Sequence, residues 1–125
     1  MRYAVGMERP TLPADKIAPA VTEAMSTFHR AVVDEVARTV ASHPVVVVGM
    51  AQNPVVKKAR RILAEEGVAY EYLEYGSYLS QWKPRLAIKL WAGFPTFPMV
   101  FLEGKLIGGA AELEKLRAAG ELKKS

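Results

Sequence analysis

The chain has 125 residues, half of them apolar and 24% charged, with a formal charge of +4 and no cysteine. One domain of this size buries roughly two-thirds of the surface that its unfolded chain exposes, and the composition suits a packed core rather than a disordered segment. Without cysteine the chain forms neither a disulfide nor a thiolate metal site, His29 and His43 stand too far apart in sequence for a zinc or iron centre, and the dispersed lysines lack the clustering that dedicated nucleic-acid binding needs.

Residues 1–12 read as a loosely held lead-in punctuated by Gly6 and Pro10, with Pro13 just beyond. Met1-Arg2-Tyr3-Ala4 lacks the apolar core of a secretory signal, and no apolar run approaches the length of a membrane span. A cytoplasmic location with no membrane contact is therefore the expectation. Val21, Met25, Phe28, Val32, Val36 and Val40 then recur at intervals of three and four, which predicts one long amphipathic helix up to about Ser42. Pro19 falls near its start or at a bend, and His43-Pro44 ends it, because a residue before proline is pushed out of the α region. The stripe is longer than a single packed helix needs. Its N-terminal half is expected either to fold back on the domain or to pair with a second copy.

Val45-Val46-Val47-Val48-Gly49-Met50 is a β-branched run of the kind found in a strand covered on both faces. The next segment predicts a helix with Val55, Val56, Ala59, Ile62 and Leu63 inward and Lys57, Lys58, Arg60, Arg61 and Glu65 in water. Asn53 is a favoured N-cap, Pro54 fits the first helical position and Gly67 the C-terminal cap. Val68 to Tyr75 alternates at its end as a strand does. After Gly76-Ser77 a helix is expected to end near Gly93, with Leu86, Ala87, Leu90 and Trp91 on its inner face. Met99–Leu102 and Lys105–Ile107 flank Glu103-Gly104 as the arms of a hairpin. Gly108-Gly109 turns into a last short helix through Leu113 and Leu116, closed by Gly120. The order α-β-α-β-α-β-β-α gives a mixed four-stranded sheet between layers of helices.

With Phe94-Pro95-Thr96-Phe97-Pro98 ahead of the hairpin, Gly108-Gly109 after it and Gly120-Glu121-Leu122 near the end, the sequence resembles the glutaredoxins of the thioredoxin-fold superfamily. The monothiol branch is the most similar, and the resemblance covers about residues 28–122. It implies a thioredoxin-like three-layer α/β/α sandwich with a mixed four-stranded sheet, residues 28–125, preceded by a partly helical N-terminal extension, residues 1–27. It also implies a cis peptide bond at Pro98, facing the helix that begins after Asn53, and a link to cell redox homeostasis.

The departures from the family pattern bear on function. The resemblance places a nucleophilic cysteine at Asn53 and a second cysteine or a serine at Val56. It places a lysine that approaches glutathione at Met50, and an aspartate that receives the γ-glutamyl ammonium at Ala111, beside Glu112. The short insertion of monothiol members is absent. Thiol–disulfide exchange needs a thiolate, so no such activity and no catalytic residue are expected. The resemblance leaves Asn53, Arg85, Phe97, Pro98, Gly109 and Glu112 as ligand-binding candidates, with Arg85 beside the glycine carboxylate of glutathione and the Phe97 backbone pairing with an extended ligand. Taken as residues alone, Asn53 is an N-cap, Arg85 a solvated helix charge, and Trp82 and Tyr78 an exposed aromatic contact patch. A non-catalytic module that binds a protein or peptide is the favoured expectation, with no cofactor and no metal. The alternative is a glutathione-binding protein or glutathione-dependent transferase, with Asn53 in place of the cysteine and glutathione held in a weakened site. A homodimer through the N-terminal helix is a further candidate.

Overall fold

The computed structural model describes residues 10–122. Most of the lead-in expected over residues 1–12 lies outside that range. After a single 3-10 turn at Ala14–Lys16, the chain forms α1 (Pro19–Thr27), α2 (Arg30–Ser42), β1 (Val45–Gly49), α3 (Pro54–Glu65) and β2 (Glu71–Glu74). There follow α4 (Trp82–Ala92), β3 (Met99–Leu102), β4 (Lys105–Gly108) and α5 (Ala110–Ala118). The strands lie in the order β2-β1-β3-β4. β1 runs parallel to β2 and antiparallel to β3, and β3 pairs antiparallel with β4. A βαβ half through α3 and a ββα half ending in α5 therefore meet at the centre of one mixed sheet.

Strand alternation sorts the core into two layers. Val46, Val48, Met99 and Phe101 face one side and pack with Val36 of α2 and Ile88 of α4. Val47 and Val100 face the other, against Ala59, Ile62 and Leu63 of α3 and Ala110 and Leu113 of α5. The four valines expected to be covered on both faces include three with no exposed surface. The hairpin turn is as expected: Glu103 (φ 51°) and Gly104 (φ 79°) both adopt the positive φ of a tight two-residue connection.

Two expectations are corrected. The single helix up to Ser42 is broken at Phe28-His29, where Phe28 is extended (φ −63°, ψ 108°) and His29 is left-handed (φ 47°, ψ 44°). Just before the break Ser26 Oγ and Thr27 Oγ1 donate to the Glu23 carbonyl at 2.9 and 3.0 Å, and Arg30 Nη1 donates across it to the Ser26 carbonyl at 3.3 Å. The Phe28 ring then stacks edge-on against His29, with centroids 4.8 Å apart. As a result α1 buries none of its side chains, and Val21 and Met25 stay exposed.

The second correction concerns α4. Its buried side carries Arg85, Ala87 and Ile88, whereas Leu86, Leu90 and Trp91, expected inside, are exposed. Ile88 is the side chain that reaches the sheet layer, and Leu86 and Leu90, two residues to either side of it, lie about 200° around the helix and point away.

Candidate functional site

At the end of β1 the chain turns through Met50, Ala51 and Gln52 (φ 62°) and enters α3 at Asn53. Asn53 is extended (φ −100°, ψ 116°), and its Oδ1 accepts from the backbone N–H of Val55 at 2.9 Å and of Val56 at 3.0 Å. Two of the amides left free at a helix start are thereby satisfied by one side chain, and Pro54 brings no third donor. Asn53 is thus an N-cap, as its residue type suggests, and its side-chain oxygen is occupied by that role.

Val56, at the second cysteine position of the family, is 2% exposed and shares a core cluster with Met50 and Phe97. The packing here is tight. A Cβ at Gly49 would lie 2.7 Å from Val56 Cγ1 and 3.1 Å from Tyr72 Cε1, so the strand must carry glycine to let α3 start so close. Met50, where the family pattern has a lysine, is part of this apolar cluster and contributes no charge to it.

The Phe97-Pro98 peptide bond is cis, as the resemblance implies. Phe97 is buried next to exposed Thr96, and among the described residues neither its N–H nor its C=O makes a hydrogen bond. Lys89 Nζ stands 5.6 Å from the centroid of the Phe97 ring. The Pro98 carbonyl approaches the start of α5 so closely that a Cβ on Gly109 would lie 3.2 Å from it. Glu112 Oε1 accepts from the Gly109 N–H at 2.8 Å, which is half of a capping box. That backbone hydrogen bond, with a second from its own amide, holds the Glu112 carboxyl below the usual carboxylate range. Glu112 is therefore engaged by the helix start.

Arg85 departs most from its expectation as a solvated helix charge. It is 8% exposed, and its Nη1 donates to the Tyr75 carbonyl at 3.0 Å and to the Ser80 carbonyl at 2.6 Å. A buried guanidinium needs such partners. It clamps both ends of the loop between β2 and α4. The loop is further fixed by Ala51 N–H donating to Gly76 O at 2.7 Å and by the Ser80 N–H to Ser77 O turn bond at 3.2 Å. The candidates accordingly divide. Val56, Met50 and Phe97 share one core cluster and Pro98 meets Gly109, while Arg85 serves the neighbouring loop.

The turn that Arg85 holds displays Tyr78 and Leu79, with Trp82 just after it at the start of α4; the three are 61%, 97% and 60% exposed. The exposure of Tyr78 and Trp82 was legible in the sequence. That of Leu79 was not, and neither was that of Leu86 and Leu90, because apolar residues at helical spacing read by default as core. Among the described residues no group of three His, Asp or Glu side chains is placed to hold a metal ion, and no helix is long and apolar enough to cross a membrane.

No protein-family model matches the sequence. Among characterised proteins the chain is 46% identical over 102 residues to a glutaredoxin-like protein of Dictyostelium discoideum, covering 82% of this chain and 83% of that one. Its structure superposes on that of reduced glutaredoxin C1 from Populus tremula x tremuloides with a TM-score of 0.67 and 26% identity, over 78% of this chain and 84% of that one. A buckwheat glutaredoxin solved as a glutathione complex aligns with a TM-score of 0.64 at 21% identity, over 77% and 87% of the two chains. The mixed sheet, the cis Pro98 turn and a relative alike over more than four-fifths of both chains lead to one conclusion: this protein belongs to the glutaredoxin-like family, on a thioredoxin fold, with no cysteine in its sequence.

Proposed function

We propose that this protein is a binding module on a glutaredoxin scaffold, not competent for thiol–disulfide exchange, which takes an extended protein segment across the Phe97-Pro98 loop. The observation that carries the proposal is the state of position 53. The side chain where the family pattern has its nucleophile is an N-cap whose oxygen is held by two backbone amides, in a chain with no sulfur nucleophile. Val56 and Met50 have joined the core, so the neighbouring positions also serve packing. The unpaired N–H and C=O of Phe97 supply what strand-like addition of a peptide uses.

The test is turnover. Pure protein is incubated with reduced glutathione and a mixed disulfide of glutathione with a small thiol. The expected rate equals the uncatalysed rate, and clear turnover overturns the proposal.

Glutathione binding is the second reading. It is favoured by Asn53, whose Oδ1 faces the helix amides and whose side-chain NH₂ is the group left to donate to a ligand thiolate. The glutathione held by the buckwheat protein supports it only by way of a shared fold. The engagement of Arg85 by two carbonyls and of Glu112 by Gly109 counts against it. An amide NMR titration with reduced glutathione separates the two: shifts clustered at Asn53, Phe97 and Gly109 would favour glutathione, and their absence at millimolar ligand would retire it.

A further inference from the structure

The outer face of α4 is unusual for a helix packed on a sheet. Trp82, Leu86 and Leu90 follow one another at i, i+4 spacing, so they form one stripe, and they are 60%, 37% and 66% exposed. The stripe has structure at both ends. At its start Leu79, 97% exposed, stands at the tip of the Ser77–Ser80 turn beside Tyr78. At its end Leu90 borders a groove of about 540 Å³ that Met25 and Phe28 also line. Buried Arg85, bonded to Tyr75 O and Ser80 O, fixes the turn from behind. The apolar side chains are therefore displayed on a rigid support rather than on a floppy loop, and Trp and Tyr are the residues that most often anchor interfaces.

Charge identifies the occupant. From Tyr75 to Leu102 the sequence has no Asp or Glu, and it carries Lys83 and Lys89. On a helical projection these two lysines fall at the margins of the Trp82–Leu86–Leu90 stripe. Lys83 Nζ lies 5.6 Å from the Trp82 ring centroid, and Lys89 Nζ lies 5.6 Å from that of Phe97. Two cations lie at the edges of an apolar stripe, and Asp34, which lines the groove at its end, is already paired with Arg30 at 2.9 Å, so the surface is complementary to a chain with apolar anchors and flanking carboxylates. A second copy docking by this same face would set lysines against lysines, which disfavours it.

We infer that α4 and the Ser77–Ser80 turn form a docking surface for an acidic protein segment bearing apolar anchors, with Trp82, Leu86 and Leu90 receiving the anchors and Lys83 and Lys89 the carboxylates. The inference rests on the binding-module reading proposed above and names the partner's chemistry. It extends the contact from the Phe97-Pro98 loop onto α4.

The experiment uses the full chain, isotope-labelled, with two synthetic peptides of about 15 residues sharing one pattern of apolar anchors, one with glutamates and one with lysines at the remaining positions. The acidic peptide is expected to shift the amides of Leu79, Trp82, Leu86 and Leu90, and the basic peptide to leave them unmoved. The double variant Lys83→Glu, Lys89→Glu, or a rise in salt from about 50 to about 300 mM, is expected to weaken the acidic peptide about tenfold. Leu79→Ser with Trp82→Ser, both at exposed positions that the fold tolerates, is expected to abolish the shifts. Absence of binding at about 1 mM acidic peptide, or equal binding of the basic one, overturns the inference. So does capture by phosphatidylcholine vesicles with about 30% phosphatidylserine in place of the peptide, which would identify a lipid surface. Concentration-dependent self-association abolished by the Leu79→Ser, Trp82→Ser variant would identify a second copy and overturn it too. Shifts confined to Asn53, Phe97 and Gly109 overturn the α4 surface while leaving the module reading intact. Turnover of a mixed disulfide fails that reading itself.

Discussion

At the scale of single residues, Asn53 answers most directly to its sequence. An asparagine before a proline and an amphipathic run is an N-cap by residue type, and two amide contacts to Oδ1 make it one in the structure. Asn53→Ala is expected to destabilise the fold by about 1 kcal/mol, read as a lower urea midpoint with an unchanged slope, and Asn53→Ser to retain most of that stability. A loss well beyond this would mean that Asn53 does more than cap. Arg85 could not be foreseen in the same way. Nothing local in Lys83-Pro84-Arg85 marks one cation for burial, because the carbonyls that accept from it belong to Tyr75 and Ser80, residues whose placement depends on where β2 ends. Glu112 lies between these cases: its capping position after Gly109 is local, but the Pro98 carbonyl that approaches Gly109 comes from the far side of the hairpin.

At the scale of elements, the sequence was most informative where the periodicity was unambiguous and the ends were marked. The β1 valines, α3 between Asn53 and Gly67, and the Glu103-Gly104 hairpin all lie where pattern and turn chemistry put them. The helix before β1 was read as one piece because its stripe of apolar residues continues through Phe28. The left-handed turn at His29, which no glycine or proline announces, divides it. For α4 the existence and end of the helix were legible, but its orientation was not, since Leu86 and Leu90 are as apolar as Ala87 and Ile88. The β2–α4 loop is held to α4 chiefly through Arg85. Arg85→Met keeps the side-chain length and removes the two charge-assisted bonds, and is expected to cost roughly 2–4 kcal/mol. Faster amide exchange should accompany that loss at Ser80, whose N–H closes the turn onto Ser77 O. Unchanged exchange and stability would contradict the clamp.

At the scale of the whole molecule, ionisable groups set a stability plateau with two edges. Glu112 titrates below the ordinary carboxylate value of 4.5 in the fold because of its backbone hydrogen bonds, so its contribution is present above that pH and is lost as the pH falls through the lowered value. Tyr72 and Tyr75 are raised above 10.0, first by burial and then by hydrogen bonds to Glu74 and Glu35, so the unfolded chain ionises first and stability declines as the pH rises past 10.0. Glu114 is lowered likewise, first by its hydrogen bond to Arg117, so urea midpoints should fall on the acid side through these two carboxylates and on the alkaline side through the two tyrosines. Glu112→Gln should soften the acid edge and Tyr75→Phe the alkaline one; edges unchanged by both would refute the assignment. The fold itself was legible because glutaredoxin landmarks occur in order along the chain, whereas the surface was not, since exposure is decided by distant neighbours. The burial of Val56 and Met50 also limits what those two positions accept. A lysine at position 50 would place a charge in a side-chain environment that is 6% exposed, and a smaller residue at position 56 would leave a gap beneath Gly49. Met50→Lys and Val56→Ser, which would each restore a residue of the family pattern, are therefore expected to yield a less stable protein.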